Sequence, residues 1–203
     1  MKRRVELSII GAGGHACVIA EAAEEVGFAV KGYFADTASE HSVLGKWLGN
    51  DSVLVQMNDD MKLALGFGFV SAEGAKARKL AIDRLSHLEI ETLIHPKSML
   101  SGSADIGKGA FLPAGSIISS FATIDKYSIV NSGAIVDHHC QIGENSHIAT
   151  GARICGGVVV GRDVLVGAGS VIKQGVSVGD GAVIGAGTTV LGDIGPSEIF
   201  LGK

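Results

Sequence analysis

Large aromatic side chains are scarce in this sequence, which contains one Trp, two Tyr and seven Phe among its 203 residues. Cysteine is scarce too, and Cys17, Cys140 and Cys155 show neither a disulfide-like spacing nor a Cys-x-x-Cys pair. A reducing, cytoplasmic location is therefore the simplest expectation. The net charge of -4 argues against nucleic acid or an anionic membrane as the main partner.

Long apolar runs are also missing. No stretch approaches the ~18 consecutive apolar residues that a membrane span needs. Residues 1–4 are basic, but the apolar segment behind them is short and stops at a glycine-rich loop, so we do not expect a signal peptide. A chain of 203 residues is long enough for one or two domains with a substantial core.

The stretch from residue 100 to residue 190 carries an aliphatic residue, here called a rung, at every sixth position. The sixteen rungs, with no insertion between them, are Leu100, Ile106, Leu112, Ile118, Ile124, Val130, Val136, Ile142, Ile148, Ile154, Val160, Val166, Ile172, Val178, Ile184 and Val190. Smaller residues occupy the fourth position after each rung, from Ala104 to Thr188. A six-residue period is the signature of a parallel β-helix, in which three hexads close a triangular coil with the rungs inside. A narrow interior of this kind agrees with the scarcity of aromatics.

Glycine often follows a rung directly, as at Gly107, Gly143 and Gly161. We expect this residue to turn the corner of the coil with a positive φ, which glycine tolerates.

The first 95 residues have a different pattern, which predicts an α/β domain. A strand at 5–10, a glycine-rich turn at 11–15, a helix at 16–26 ending before Gly27 and a strand at 28–34 form a unit typical of Rossmann-like nucleotide-binding domains. The turn has two interpretations that stay open, a phosphate site at a helix N-terminus or a plain tight turn. We expect further strands at 53–56, 63–69 and 90–94. An amphipathic helix is expected at 72–88, with Leu80 facing inward and Arg78 facing outward. Arg78 would lie near enough to the start of this helix to reach a ligand phosphate. The His95-Pro96 pair marks the predicted boundary, which gives domains 1–95 and 96–203.

A histidine-rich run, Asp-His-His-Cys at 137–140, interrupts the plain repeat. His138 comes two residues after a rung, so we expect it to project outward near a corner, with Gly156 one coil later and about one strand spacing of ~4.8 Å away. A neutral imidazole beside a backbone N–H suits acyl transfer, because the imidazole takes a proton from the attacking amine or hydroxyl while the N–H stabilises the oxyanion. His139 is expected to be solvated, and for His147 a ligand contact and an ordinary surface position both stay open. A zinc site of three histidines is disfavoured, because His138 and His147 are half a coil out of phase and no third histidine lies nearby.

Five segments together resemble bacterial sugar O/N-acetyltransferases, the family of sialic-acid O-acetyltransferases and of enzymes that acetylate UDP-linked 4-amino sugars in bacillosamine synthesis. They are Gly11-Ala-Gly-Gly-His15, Phe34-Ala-Asp36, Leu93-Ile-His-Pro96, Val136-Asp-His-His-Cys140 and Ser146-His147-Ile148. The resemblance implies a left-handed β-helix after the Rossmann-like domain. It also implies a homotrimer with active sites between adjacent β-helices, a nucleotide-activated sugar held by the N-terminal domain, and acetyl-CoA as co-substrate, without a metal.

The same resemblance implies roles for single residues. His138 matches the general base, His147 a residue near the acetyl-CoA thioester, and Gly156 the backbone donor to the acetyl oxygen. The nucleotide-sugar pocket would contain Gly11, Gly13, Gly14, His15, Asp36 and Gly66. Relatives often carry an acidic residue directly after the base, and this chain has His139 at that position. We therefore expect Asp137 to be the residue that orients the base.

The expected function is transfer of acetyl from acetyl-CoA to the amine of a nucleotide-linked amino sugar. Two alternatives stay open. One is an O-acetyltransferase acting on sialic acid or a related sugar, and the other is a non-catalytic scaffold that binds a nucleotide sugar.

Overall fold

A four-stranded parallel sheet with helices forms the N-terminal domain. The computed structural model describes residues 4–54 and 61–202. The sheet order is β3-β2-β1-β4, with β1 at Glu6–Ile10, β2 at Ala29–Phe34, β3 at Lys46–Trp47 and β4 at Lys62–Leu65. The helices are α1 (Gly14–Val26), α2 (Asp51–Leu54) and α3 (Ala72–Arg84), with a short 3-10 helix at Ser42–Leu44. No described helix is long and apolar enough to span a membrane.

The helix ends follow ordinary capping chemistry. Helix α1 starts two residues earlier than predicted and ends where Gly27 adopts a φ of 107°, so that its N–H reaches the carbonyls of Ala23 and Glu24. Helix α3 begins at the N-cap residue Ser71, whose side chain accepts a hydrogen bond from the Gly74 N–H.

Several predictions for this domain are wrong in detail. Val53 and Leu54 lie in α2 rather than in a strand, and residues 55–60 fall outside the described part of the chain. The strand predicted at 63–69 already ends at Leu65, and the helix predicted at 72–88 ends at Arg84. Instead of a strand at 90–94, Ile90 makes an isolated bridge with Leu63, and only Leu93–Ile94 forms a strand.

Two residues of α3, Leu80 and Arg78, face the opposite way from the prediction, whereas Ile82 is buried and Lys76 and Arg84 are exposed as expected. Leu80 is 60% exposed, whereas Arg78 is 3% exposed. The buried face of α3 consists of Ala75, Arg78 and Ile82, which are three and four residues apart and so share one side of a helix. Leu80 does not belong to that set.

The rest of the chain winds into a parallel β-helix of two-residue strands. In chain order they are β5 Leu93–Ile94, β6 Met99–Leu100, β7 Asp105–Ile106, β8 Phe111–Leu112, β9 Ile117–Ile118, β10 Thr123–Ile124, β11 Ile129–Val130, β12 Ile135–Val136, β13 Gln141–Ile142, β14 His147–Ile148, β15 Arg153–Ile154, β16 Val159–Val160, β17 Leu165–Val166, β18 Val171–Ile172, β19 Ser177–Val178, β20 Val183–Ile184, β21 Thr189–Val190 and β22 Ile199–Phe200. Strand β5 precedes the predicted boundary at residues 95 and 96, yet it pairs with β8.

Three flat faces enclose the interior of the coil. Face 1 contains β5, β8, β11, β14, β17, β20 and β22, face 2 contains β6, β9, β12, β15, β18 and β21, and face 3 contains β7, β10, β13, β16 and β19. The chain passes from face 1 to face 2 to face 3 in each coil. Partners such as Ile135 and Arg153 are eighteen residues apart, which confirms the predicted length of a coil.

The rungs form the core of this β-helix. All rungs from Leu112 to Val190 are buried, and so are the small residues from Ala110 to Thr188. Leu100 is 40% exposed because it lies in the first coil, where no preceding coil covers it. The stacking of coils therefore provides the burial that a single coil lacks.

The glycines that follow the rungs have a different role from the one predicted. Positive φ occurs at the third residue after a rung, for example at Gly151 and Gly169. The residue directly after a rung, such as Gly143, is glycine for lack of space, since a Cβ there would lie 2.6 Å from the backbone of Gly161 in the next coil. At Gly143, close approach between coils, and not φ, excludes a larger side chain.

Arg78 joins the N-terminal domain to the corner between faces 3 and 1. Its Nε donates to the Phe67 carbonyl at 2.8 Å, and its Nη1 donates to the Tyr127 carbonyl at 2.8 Å and to Asn145 Oδ1. Asn145 in turn donates to the Ala75 carbonyl at 3.2 Å and to Asp163 Oδ1 at 2.7 Å. Burial lowers the pKa of Arg78 to about 10, and the charge of Asp163 opposes this shift, so the guanidinium stays protonated at neutral pH. Arg78 is thus a link between domains and not a phosphate ligand.

Replacing Arg78 by Met should lower the free energy of unfolding by about 3 kcal/mol, because the substitution leaves buried acceptors without a donor. Urea unfolding followed by circular dichroism measures this. Arg84→Met, which removes an exposed arginine from the same helix, is the matched control and should change stability by less than about 0.5 kcal/mol. Equal losses in the two variants would contradict the role of Arg78.

Candidate active site

His138 lies at the corner between faces 2 and 3, directly after β12. Its side chain is exposed, as expected from its place two residues after a rung. Gly156 occupies the same corner one coil later, and the Gly157 N–H donates to the His138 carbonyl at 2.9 Å. The ring of His138 packs over Gly156, since a Cβ on Gly156 would lie 2.6 Å from Cε1 and 2.7 Å from Nε2. Only glycine leaves room for the ring in this position.

The Gly156 N–H is placed to serve as a donor. Within the described residues it makes no hydrogen bond to a protein acceptor, although the Gly156 carbonyl accepts from the Gly175 N–H at 3.1 Å. An imidazole nitrogen and an unused backbone N–H therefore lie side by side at this corner. Together they can bind an attacking nucleophile and the oxygen of a carbonyl group.

The neighbours of His138 along the chain have different contacts. Asp137 Oδ1 accepts a hydrogen bond from the backbone N–H of His138 at 2.7 Å. The ring of His138 instead meets His139, with the two Nδ1 atoms 3.1 Å apart. His139 is exposed, but it also contacts the ring of Phe121, with centroids 5.2 Å apart. His139 is thus part of a ring cluster and not merely solvated.

His147 lies on face 1, under the N-terminal domain, and is 6% exposed. Its Nδ1 donates to the Phe69 carbonyl at 2.9 Å, since a carbonyl only accepts. Its Nε2 then accepts from Asn131 Nδ2 at 3.2 Å, which fixes the neutral tautomer with the proton on Nδ1. Burial lowers the pKa of His147, the bond to Phe69 opposes this, and the charge of Arg78 lowers the pKa further.

His15, in the first turn of α1, lies close to the same face. Its ring stands edge-on to Phe111 of β8, with centroids 5.6 Å apart, and its Nε2 is buried without a partner among the described residues. Burial lowers the pKa of His15 to about 4, and His147 and Arg78 contribute to the same shift. His15 is therefore neutral at pH 7.

The carboxyl ends of β1, β2 and β4 bring the predicted nucleotide-site residues to one edge of the sheet. The Gly11 N–H donates to the Phe34 carbonyl at 2.8 Å, and the Gly66 N–H donates to the Ile10 carbonyl at 2.7 Å. A Cβ on Gly11 would lie 3.1 Å from the Gly66 oxygen, so these loops touch. The strand order places this contact where α/β sheets bind ligands, between strands whose connections run in opposite directions.

Gly13 and Gly14 are exposed at the N-terminus of α1, and a Cβ on either would meet nothing within 4 Å. Asp36 is exposed just after β2. A hollow beside them is lined by Ala12 and by residues 37–41. These features suit an anionic ligand that lies across the helix N-terminus with a polar group towards the loop after β2.

The two halves of the candidate site are far apart in one chain. His138 is at the corner between faces 2 and 3, whereas His147 and the N-terminal domain are on face 1. In a triangular prism this corner lies opposite face 1. The structure therefore brings His138 together with Gly156, and His147 together with His15, but it does not bring the two pairs together.

Comparisons with known proteins identify the fold and its relatives. Residues 6–80 match the PglD N-terminal domain family, and residues 157–191 match the hexapeptide repeat of succinyl-transferase. The acetyltransferase domain of PglB from Neisseria gonorrhoeae, in complex with acetyl coenzyme A, is 28% identical with a TM-score of 0.86, covering 95% of this chain and 94% of that chain. PerB from Caulobacter crescentus, in complex with CoA and GDP-perosamine, is 30% identical with a TM-score of 0.83, covering 96% and 92%. The chain belongs to the hexapeptide-repeat sugar acetyltransferase family.

This sugar acetyltransferase also shares its fold with WeeI from Acinetobacter baumannii, at 17% identity and a TM-score of 0.78, covering 96% of this chain and 95% of that chain. No curated protein sequence matches the chain. The predicted fold class, a Rossmann-like domain followed by a left-handed parallel β-helix, is confirmed. Among the described residues no group of three or more His, Cys, Asp or Glu side chains could hold a metal ion.

Sequence reasoning missed four contacts of this sugar acetyltransferase: His139 beside His138, Phe121 beside His139, and Asn131 and Phe69 beside His147. The sequence contains one signal that could have identified His139 and Phe121. Both occupy the third position after a rung, where most of the hexads have glycine. The contact with Phe69 depends on how the domains pack, which no local pattern records.

Stability should fall below pH 6.5 because His15 must stay neutral in the fold. Its pKa is about 4 in the folded protein and 6.5 in the unfolded chain. The unfolded chain therefore binds more protons between these two values, and stability is lost as the pH falls through that window. Between about pH 7.5 and pH 5, this residue accounts for about 2 kcal/mol.

Urea unfolding at both pH values should show a smaller loss for His15→Asn than for the wild type. His87→Asn, at an exposed histidine, should behave as the wild type. An unchanged pH dependence in His15→Asn would refute the assignment.

Proposed function

We propose that this protein transfers the acetyl group of acetyl-CoA to the amine of a nucleotide-linked amino sugar, with His138 as the general base. The observation that carries the proposal is the ring of His138 packed over Gly156, whose N–H has no protein acceptor in the described chain. Relatives with the same architecture are described in complex with acetyl coenzyme A, or with CoA and GDP-perosamine. A perosamine N-acetyltransferase of C. crescentus with a substituted histidine, 28% identical, also has CoA and GDP-perosamine bound.

The chemistry needs one base and one oxyanion donor. Nε2 of His138 takes a proton from the sugar amine as its nitrogen attacks the thioester carbonyl, which forms the new C–N bond. The Gly156 N–H donates to the oxygen as negative charge develops there. The C–S bond then breaks, and CoA leaves as its thiolate, which takes up a proton to become the thiol. The acetyl group passes directly to the amine, without an acyl-enzyme.

The N-terminal domain would hold the nucleotide of the sugar. Its Gly13 and Gly14 leave the N-terminus of α1 open, where backbone N–H groups and the helix dipole favour a diphosphate. Asp36 and the loop after it would face the nucleoside, and Gly11 and Gly66 keep the two loops close enough to shape the pocket. His15 lies between this pocket and face 1.

Acetyl-CoA would lie along the prism beside the His138 corner. A groove crosses the adjacent face 3, where it is lined by residues of β7, β10, β13 and β16. We infer that the thioester sits at the His138 end of such a path, next to the Gly156 N–H. Acetyl-CoA and nucleotide sugars are cytoplasmic metabolites, so we place the protein in the cytoplasm.

We infer a homotrimer, because one chain does not complete the site. His138 lies opposite the face that carries His147 and the N-terminal domain. Packing the His138 corner of one chain against the N-terminal domain of a second, beside its face 1, would bring the base, the acetyl group and the sugar together. Repetition of this contact around a three-fold axis closes a ring with three equivalent sites.

Release of CoA from acetyl-CoA should occur with one of a panel of UDP-, GDP- and dTDP-linked 4-amino sugars. His138→Ala should lower the rate by roughly 10²–10⁴-fold, because general-base help is lost. His87→Ala, at an exposed histidine far from the corner in sequence, is the control and should keep the wild-type rate.

Turnover with a hydroxyl sugar alone, giving a product that mild base cleaves, would identify an O-acetyltransferase. Binding of a nucleotide sugar without transfer would identify a non-catalytic scaffold. Either result would refute the proposed reaction.

Mixed trimers test whether a site is shared between chains. His138→Ala and His147→Gln should each be inactive alone. When the two are refolded together in equal amounts, about a quarter of the interfaces combine an intact His138 with an intact His147, so about a quarter of wild-type activity should return. No recovery, from mixtures shown to exchange subunits, would mean that both histidines act within one chain.

A further inference from the structure

We propose that His139 is the positioning residue of His138, and that it holds the base through a neutral imidazole rather than a carboxylate. This inference rests on the proposed function. It assigns to this chain a histidine–histidine pair at the corner of the proposed base.

The distance between the two rings defines the pair. Nδ1 of His138 and Nδ1 of His139 are 3.1 Å apart, and the rings meet edge to face with centroids 5.3 Å apart. A hydrogen bond between two imidazole nitrogens needs one proton, so one Nδ1 donates and the other accepts. When His138 donates, its Nε2 keeps a free lone pair over Gly156, which is the tautomer that a base requires.

Asp137 does not compete for this role. Its Oδ1 already accepts from the backbone N–H of His138 at 2.7 Å, so the carboxylate fixes the chain and not the ring. Among the titratable side chains of neighbouring positions, Cys155 follows Asp137 one coil later, and Cys140 points into the core, where burial raises the pKa of its thiol.

His139 itself is firmly held. Its backbone adopts a φ of 58°, and its N–H donates to the Ser120 carbonyl at 3.0 Å in the preceding coil. Phe121, one coil below it with a φ of 59°, lies against its ring, with centroids 5.2 Å apart, while remaining 61% exposed. Phe121 and His139 thus keep side chains in the left-handed region, where the next coil at this corner has Gly157.

The chemical consequence concerns the proton that His138 takes up. A carboxylate beside Nδ1 would stabilise the imidazolium by charge, whereas a neutral imidazole provides only a hydrogen bond. A neutral partner therefore orients the ring of His138 without placing a charge beside it.

The pH profile of kcat/KM distinguishes positioning from a purely structural role. His139→Asp, which tolerates the left-handed backbone, should move the acid limb to higher pH by about 1 unit or more, because a charge now faces Nδ1. His139→Asn keeps both the backbone preference and a neutral acceptor, so its acid limb should stay close to that of the wild type and its rate should be largely rescued. His139→Ala should lower kcat by up to roughly 100-fold, since a misplaced base loses its geometry. An acid limb that does not move in His139→Asp would overturn the proposal.

Nitrogen NMR of the ligand-free protein gives an independent answer, because ring nitrogens with and without a proton resonate far apart. With ¹⁵N-labelled histidine, and assignments from His138→Ala and His139→Ala, Nδ1 of His138 should be protonated near pH 7.5 in the wild type. That signal should shift towards an average of both tautomers in His139→Ala. An unchanged His138 spectrum in a His139→Ala protein that melts like the wild type would refute the pair. The spectra need no substrate, so they decide this inference even if no amino sugar is acetylated.

Discussion

The stacking of equal coils is the constraint on which this molecule depends. Every residue of the β-helix lies next to the residues eighteen positions before and after it, as the pairing of Ile135 with Arg153 shows. The period therefore determines tertiary neighbours as well as secondary structure. It places Gly156 against the ring of His138 and Phe121 against that of His139. A single inserted residue in this stretch would separate those pairs, because side chains in a strand alternate between inside and outside.

Some corners of the β-helix carry a larger residue at the position where the repeat usually has glycine. From Gly109 to Gly187 the third position after a rung has a positive φ, and at the corner between faces 1 and 2 this position is always glycine: Gly115, Gly133, Gly151, Gly169 and Gly187. At the other two corners some coils keep glycine, whereas larger residues replace it in others. Phe121 and His139 occupy the corner of the proposed base, and Tyr127, Asn145 and Asp163 occupy the corner that Arg78 joins to the N-terminal domain. The left-handed conformation costs roughly 1–2 kcal/mol for a residue with a Cβ. The five larger residues adopt this conformation at positions where they contact other parts of the molecule.

The sequence predicted what the six-residue period controls. The rungs, the small residues, the length of the coil and the contact between His138 and Gly156 all follow from counting, because the register has no insertion. The orientation of Arg78 and Leu80 could not be obtained in this way. A charged residue normally faces solvent, and only the carbonyls of Phe67 and Tyr127, from two distant parts of the chain, make a buried guanidinium favourable. The contact between the rings of His138 and His139 was missed for a related reason, since side-chain torsions decide it.

The two domains also explain why the candidate site is divided. The N-terminal domain covers face 1 from β5 to β17, through the contact of Phe69 with His147 and beside the corner that Arg78 joins, so outward side chains such as Phe111, Ile129 and His147 are buried in one chain. The corner of His138 stays free of that domain and carries exposed aromatic rings, Phe121 among them. Exposed rings on a strained backbone gain most from contact with another surface, because burial of an aromatic side chain contributes a few kcal/mol. A second chain docked here would bury Phe121, limit the motion of His139 and complete the site, so that assembly and the orientation of the base depend on the same side chains.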